Sequence, residues 1–424
     1  MNGTSNSDNN VFDVVVIGGG ASGMMAAGKA AELGKRVLLV EKNTQLGKKL
    51  LITGGGRCNI TNNKQDDRTM LANYKGNDKF LFSAFSQWNV TDTLAFFEKR
   101  GVFTKEENNG RMFPVSNKAE SVYDALYEYM KEGDVTIRKS TIVSGIKKDK
   151  ASNTFHIVTK SGNTLYAKHV IIATGGTSRP ETGSTGEGFQ WLKKLGHTII
   201  ENDFALVPIA LTDTWVKKIS GVSIDEIKLT TYLHDQTRLV KQDTYKGKIL
   251  FTHVGISGPT VLNMSKDVGE LLKYGDVTIG IDLFPSKDMG KLKQELQNIL
   301  VLHSNKKIKN VLGIFVPSSL VSPLLELTNI DGETFCHSVR SEERVRIIEI
   351  AKDIQLHVSG LLGKDKAIVS SGGVPLTEVD TKTMESLIVE GLYVIGDTLN
   401  IDRPSGGYSL QLCWTTGVVA GTHC

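Results

Sequence analysis

The chain has 424 residues, 50 basic and 46 acidic side chains, and a net charge of +4. Its length calls for two or three domains, and the near balance of charge gives no single-sign field suited to nucleic acid or an acidic membrane. No apolar run is long enough to span a bilayer. The four cysteines (Cys58, Cys336, Cys413, Cys424) lack CxxC or zinc-like spacing. They read as reduced thiols of a cytoplasmic protein and argue against a disulfide reductase, which needs a redox pair. The histidines are scattered without metal-ligand spacing, so no metal is expected. The first ten residues read as a polar tail without the apolar core of a secretion signal. The short basic runs at 147–150 and 306–309 read as solvated faces.

The first element is an apolar β-run, Phe12 to Ile17, entering a glycine triplet. A small-residue helix follows from Ser22 to about Leu33, then Gly34, then a strand from Val37 to Val40 ending on Glu41. This is a βαβ unit with Gly18-x-Gly20-x-x-Gly23 at its first turn, the dinucleotide-binding pattern. Gly18 makes the tight turn, Gly20 admits a pyrophosphate to the backbone, and Gly23 lets helix and strand pack. The helix start offers unpaired N–H groups to phosphates. Glu41 suits ribose hydroxyls and repels a 2′-phosphate.

A glycine-rich loop spans Lys42 to Lys64. Helices are expected over Thr91–Arg100 and from Asn117 to Gly133, the second opened by an Asn117/Glu120 capping box. Strands follow at Val135–Ile146, Thr154–Thr159 and Thr164–Ala167 as a meander, then Val170–Ala173. Gly183-x-x-Gly186-x-Gly188 reads as a loop near the cofactor or a helix start. From about Gly196 the pattern turns to β segments (His197–Leu211, Ile224–Tyr232, Lys248–Thr252, Val277–Leu283) that suit a barrel or sandwich. It is helical over Lys287–Gln355, then returns to strands at Ala367–Ser370 and Leu392–Ile395. A last helix runs from about Gly406 to Ala420. The resulting plan is a nucleotide-binding domain (1–195 and 356–424) interrupted by a β-barrel (196–286) and a helical domain (287–355).

Two later features favour FAD over NAD. VIIATGG (Val170–Gly176) ends a strand in small residues that can pass beside a dinucleotide. LYVIGDTLNIDRPSGGYSLQ (Leu392–Gln411) ends a strand in Gly396-Asp397 and then starts a helix on glycine. That acid can accept from ribitol hydroxyls, and the helix start can face the flavin edge where charge collects on reduction. No second strand-GxGxxG-helix unit is present, so NAD(P)H is expected only as a transient donor without a domain of its own.

The segments IGGGASGMMAA, LGKKLLITGGGRCNITN, ATGGTSRPETGSTGEGF, GKILFTHVGISGPTVL, SSGGVPLTEVDTKTMES and GLYVIGDTLNIDRPSGGYSLQ together make the chain resemble a family of three-domain bacterial flavoproteins. These are NAD(P)/FAD-dependent oxidoreductases that include aminoacetone oxidase and a bile-acid-inducible flavoprotein reductase. The resemblance implies an α/β, Rossmann-like FAD-binding domain of fumarate-reductase/glutathione-reductase type, with an inserted barrel and a helical domain. It places Gly18, Gly20, Ala21, Ser22 and Gly23 at the pyrophosphate, and Glu41 with Lys42 at the adenosine ribose. Lys49, Gly56, Arg57 and Cys58 are expected along the FAD and Val143 by the adenine. Ala173, Thr174 and Gly175 are expected along the dinucleotide, Gly396 and Asp397 at the ribitol, and Gly407, Tyr408 and Leu410 at the ring. The family more often has Glu at Asp397, Asn at Ser409 and Tyr at Arg179; the acid exchange should preserve FAD binding, whereas Arg179 and the Asp402-Arg403-Pro404 stretch leave substrate identity open.

Three residues are candidates for chemistry. His253 sits in a glycine-rich loop after a strand, where the residue type that most often serves as general acid or base can be presented to a cleft; it can equally hold a turn. Arg57 can neutralise a reduced flavin or a phosphate, or make a surface ion pair. Tyr408 can cover the ring or donate to substrate, or pack in the core. Cys58, without a partner thiol, reads as packing against the cofactor. The expected activity is hydride transfer between flavin N5 and a small organic substrate, with reduction by NAD(P)H favoured. The alternatives are an O2-using amine or aminoketone oxidase, an RNA-modifying flavoprotein, and a flavin-binding protein without turnover. No nucleic-acid or membrane partner is expected, and the oligomeric state is open.

Overall fold

The computed structural model describes residues 11–64, 66–74, 76–200, 206–235, 238–362 and 372–424. The polar tail and the expected Ala367–Ser370 strand lie outside them. The chain divides into two compact units, residues 1–203 with 368–424, and residues 204–367.

The first unit is built on a nine-stranded mixed sheet whose central strands pair in parallel. Strand β1 (Val11–Ile17) pairs in parallel with β2 (Val37–Val40) on one side and with the Thr164–Ile172 strand on the other. The register sets Val14 against Val37 and His169. Both edges of β1 are therefore paired and Val14–Ile17 are buried, which is why that run is continuously apolar rather than alternating. Thr136–Arg138 extends the sheet beyond β2, and Leu392–Val394 extends it beyond Thr164–Ile172. Helix α1 (Ala21–Glu32) covers one face and packs on the terminal helix Tyr408–His423. Small residues permit this close approach: a Cβ on Gly421 would lie 2.6 Å from the Ala26 carbonyl oxygen.

Several details differ from the sequence reading. Thr164–Ile172 is one strand, not two. The expected Val135–Ile146 strand is two, because Thr136–Arg138 pairs with β2 while Val143–Asp149 turns away to pair with Thr154–Thr159. The capping box expected at Asn117 is absent. Asn117 is left-handed (φ 53°) and the helix starts at Ala119. A true capping box opens the preceding helix instead, between Asn89 and Asp92.

The second unit holds a closed six-stranded barrel, in the order Ile209–Leu211, Gly255–Ser257, Arg238–Thr252, Ser223–Asp235, Val277–Asp282 and Ile354–Leu361. Leu229, Ile249, Phe251, Ile279 and Ile281 are buried in its core. Helices Met289–Leu302, Val321–Thr328 and Ser341–Lys352 lie between the last two barrel strands in sequence. The helical stretch thus belongs to the same unit as the barrel, and the 355/356 boundary falls inside a barrel strand. His197, expected in the first barrel strand, is buried in the first unit between Glu378 and Ser386, each 2.8 Å from a ring nitrogen. Among the described residues no helix is long and apolar enough to cross a membrane.

Candidate active site

The turn between β1 and α1 separates two kinds of glycine. Gly18 has φ +109°, and a Cβ there would lie 2.5 Å from the Ala173 carbonyl oxygen. At Gly23 a Cβ would lie 1.9 Å from the Gly18 carbonyl oxygen. These two are demanded by the fold itself. At Gly20 a Cβ would meet nothing within 4 Å. Its missing side chain serves open space, not packing.

That space is a cavity of about 550 Å³ in the first unit, within the usual range for small-molecule and cofactor sites. Gly18, Gly20, Ala21 and Ser22 line it from the βα turn, and Glu41 and Lys42 from the end of β2. Lys49, Val143, Ala173, Thr174 and Gly175 form further wall, as do Asp397, Gly407 and Leu410 from the C-terminal segment. Glu41 braces the turn it was expected to serve: it accepts from the Gly19 N–H at 2.8 Å and from the Asn43 N–H at 2.7 Å. Oε1 also accepts from Asn43 Nδ2 at 2.8 Å, whereas Oε2, which takes the Gly19 N–H, keeps a second lone pair for a ligand hydroxyl.

Across the opening, residues 178–187 are tied to residues 42–49. Lys49 Nζ donates to Ser178 Oγ (2.6 Å), Asn43 Nδ2 to the Thr182 carbonyl (3.0 Å), and Lys42 Nζ to Glu187 Oε2 (2.8 Å). In the Gly183–Gly188 motif, Gly186 precedes the helix Glu187–Lys194, which is its helix-start alternative, and Gly183 lines the cavity.

The lining also suits a polar ligand. Asn59 Oδ1 and Thr174 Oγ1 are buried without a hydrogen-bond partner, and both residues line the cavity. Buried polar atoms are rarely left so, and a dinucleotide offers hydroxyls, phosphates and ring nitrogens to meet them. FAD therefore fits the residues present.

Asp397 stands in the wall with a buried cation behind it. Arg403, its side chain fully buried, pairs with Asp397 Oδ1, and Lys49 Nζ lies 3.5 Å from Oδ2. Burial alone would raise the Asp397 carboxyl, but Arg403 and Lys49 outweigh it and hold it below its ordinary 3.8. A carboxyl lowered on folding contributes stability that is present above its unfolded pKa and lost as pH falls through the folded one. The stability difference between the wild type and Asp397→Asn is thus expected to be flat above about pH 5 and to shrink below about pH 4. Thermal unfolding of both proteins from below about pH 4 up to neutrality checks it. A difference that changes most around neutral pH would contradict it.

Other expected residues stand outside the lining. Gly23 and Gly396 pack beneath it; the Gly396 N–H donates to Thr416 Oγ1 at 3.1 Å. Gly56 turns the chain with φ +82°. Arg57 is engaged elsewhere, pairing with Glu107, donating to Asn117 Oδ1 at 3.2 Å and stacking 4.1 Å over Phe113. That geometry matches its ion-pair reading. Cys58 is fully buried, and desolvation pushes its thiol up to about 12, so it is no nucleophile at neutral pH. Tyr408 is buried against Tyr74 in an edge contact, and the Tyr74 hydroxyl donates to the Tyr408 carbonyl at 2.9 Å. Tyr408 therefore anchors the start of the terminal helix, its core-packing alternative. His253 is exposed at the turn between two barrel strands of the second unit. Among the described residues no cluster of His, Cys, Asp or Glu is arranged to hold a metal.

The sequence reading passed over Asn43, Asn59 and Ser178, and it gave Arg403 and Ser409 no contact with Asp397 or with each other. Asn43, two residues past the strand-terminal acid, was the one with a local signal. Ser178 joins the site through Lys49, 129 residues away, whereas Arg403 and Ser409 join it through the short loop they share with Asp397.

Known proteins extend this picture. The family model described as HI0933-like protein Rossmann domain matches residues 12–423. A ribosomal RNA dihydrouridine synthase of Escherichia coli strain K12 is 29% identical over 410 residues, covering 96% of each chain. A 3-dehydro-bile acid delta(4,6)-reductase of Clostridium scindens is 31% identical over 412 residues, covering 96% of this chain and 97% of that one. A 3-ketosteroid delta1-dehydrogenase structure from Sterolibacterium denitrificans shares the fold, with TM-score 0.56, 14% identity and coverage of 98% and 99%. The cavity at the βα turn, the matched family and the shared fold lead to one conclusion: the chain belongs to the HI0933-like Rossmann flavoprotein family and is a flavin-dependent oxidoreductase.

Proposed function

We propose that the protein is an FAD-dependent reductase that saturates a carbon–carbon double bond conjugated to a carbonyl, with NAD(P)H as a visiting hydride donor. Bound FAD would accept and pass on the hydride at N5. The observation that carries this reading is a single cavity with the βα turn in one part of its wall and the start of the terminal helix in another. Gly18, Gly20 and Ser22 are proposed to hold the diphosphate, and Glu41 the adenosine ribose. Asp397 is proposed to meet the ribitol, with Gly407 and Leu410 at the ring. The helix start, through its free N–H groups and partial positive charge, favours negative charge by about 0.3–2 kcal/mol. That is enough to tune a potential and too little to drive the reaction alone.

The relatives support the reaction class. Forming dihydrouridine and reducing a 3-keto-4,6-diene both add hydrogen across a ring double bond conjugated to a carbonyl. Hydride goes to the far carbon and a proton to the near one. His253 is the proposed proton donor. Its replacement by Ala is expected to slow turnover by about 10²–10⁴-fold while FAD remains bound; unchanged turnover would leave His253 a turn residue.

The first experiment is anaerobic mixing of the yellow protein with NADH or NADPH. Bleaching of the flavin absorbance is expected. If neither donor reduces it while an amine does, the oxidase alternative takes over. A second substrate reading, uridine in ribosomal RNA, is favoured by two relatives named for that reaction at 29% and 28% identity. A small substrate is preferred because the chain's +4 charge provides no strong basic track for phosphates. Supplying reduced enzyme with a cyclic dienone in one arm and unmodified ribosomal RNA in another separates them: dihydrouridine in the RNA by mass spectrometry would overturn the small-molecule choice.

A further inference from the structure

Arg403 is the charged side chain the reaction leaves unexplained. It does not line the cavity, yet its guanidinium is wholly buried behind two residues that do. One nitrogen pairs with Asp397 Oδ1, Nη1 donates to the Ile401 carbonyl at 2.6 Å, and Nε donates to Ser409 Oγ at 3.0 Å. Every partner lies within eight residues of it, so the loop 397–409 is folded around this cation. Burying a guanidinium is costly unless it is paired, and a loop that only needed to turn would not require one.

We propose that Arg403 is a positioning residue for the cofactor. It neutralises Asp397 from behind the wall, so that an acid can face FAD without repelling its diphosphate. It also fixes Ser409 with its hydroxyl hydrogen free to donate into the cavity. Without the guanidinium, an ionised Asp397 would face two further negative charges in a partly desolvated site, where like charges are strongly disfavoured. Lys49 does not replace it, because its amine is 3.5 Å from the other oxygen and is shared with Ser178. The proposal rests on the reading of the cavity as an FAD site.

The test is a double-mutant cycle read as FAD affinity, by titrating apoprotein with FAD and following flavin fluorescence. Arg403→Gln is expected to weaken binding by about 10- to 100-fold. In an Asp397→Asn background the same substitution is expected to change it by about threefold or less. Arg403→Lys, which keeps the charge, is expected to fall between wild type and Gln. Equal losses in both backgrounds, or a Lys variant as weak as Gln, would show that Arg403 does not act through the charge of Asp397 and would overturn the proposal. If the Gln apoprotein does not fold, judged by its thermal transition, the cycle is run with Arg403→Met, which removes the charge but keeps much of the buried volume, and the same coupling decides. A wild-type apoprotein that takes up no FAD would instead refute the FAD reading itself.

Discussion

Gly20→Val is expected to yield a folded, colourless protein, with FAD binding at least about a hundredfold weaker than wild type. The physical basis is the contrast within one motif. A side chain at Gly20 meets no protein atom within 4 Å and projects into open space, where the second glycine of this motif lets a pyrophosphate reach the backbone. The Gly20 backbone is at φ −83°, which valine can adopt. The stability of the apoprotein is therefore expected to stay within about 0.5 kcal/mol of wild type, as for substitutions that disturb no packing. Gly23→Val is the matched control. Its Cβ would sit 1.9 Å from the Gly18 carbonyl oxygen, and no soluble folded protein is expected. Flavin absorbance per protein and a denaturation curve on each variant decide the matter. A Gly20→Val protein carrying FAD at full stoichiometry would mean the ligand does not approach the backbone there.

The second large effect is expected at Gln411, which is completely buried. Its Oε1 accepts from Thr61 Oγ1 at 2.7 Å. Its Nε2 lies 3.2 Å from the Asn89 carbonyl, 3.0 Å from Thr93 Oγ1 and 3.1 Å from Thr415 Oγ1. One amide thus ties the first turn of the terminal helix to the short strand at Thr61 and the helix start at Asn89. Gly407, one turn earlier, meets the same strand so closely that a Cβ would lie 2.3 Å from the Thr61 carbonyl carbon. Gln411→Leu keeps the volume but strands several buried polar groups. At about 1–3 kcal/mol for each unsatisfied group, a loss of roughly 3 kcal/mol or more is expected. Urea unfolding of the apoprotein measures it. An unchanged midpoint would show that the network is dispensable or rehydrated. Because this helix start forms part of the cavity wall, weaker FAD binding should accompany the loss of stability.

The residues of these two predictions were legible in the sequence to different degrees. The Gly18/Gly20/Gly23 turn, both flanking strands and Glu41 could be read locally, because a βαβ unit specifies its turn, helix and acid within about thirty residues. The βαβ unit, the six-segment family resemblance and the β texture of the insertion therefore set the fold class. The capping box at Asn117 could not be judged from its pattern alone, since the same residues fit a left-handed turn. Nor could the break between Thr136–Arg138 and Val143–Asp149, where two partners compete for one apolar stretch.

Sequence alone determined the βαβ unit and the glycines its turn demands, because those requirements act between near neighbours along the backbone. Only tertiary structure decided what stands around that turn. It set Arg57 on Glu107, away from the cavity, buried Cys58 and Tyr408, and put Arg403 behind Asp397. The direction of a side chain and the ionisation of a carboxyl depend on packing and on charges that a folded loop (Arg403) and a distant segment (Lys49) bring to Asp397, and no spacing in the sequence records that encounter.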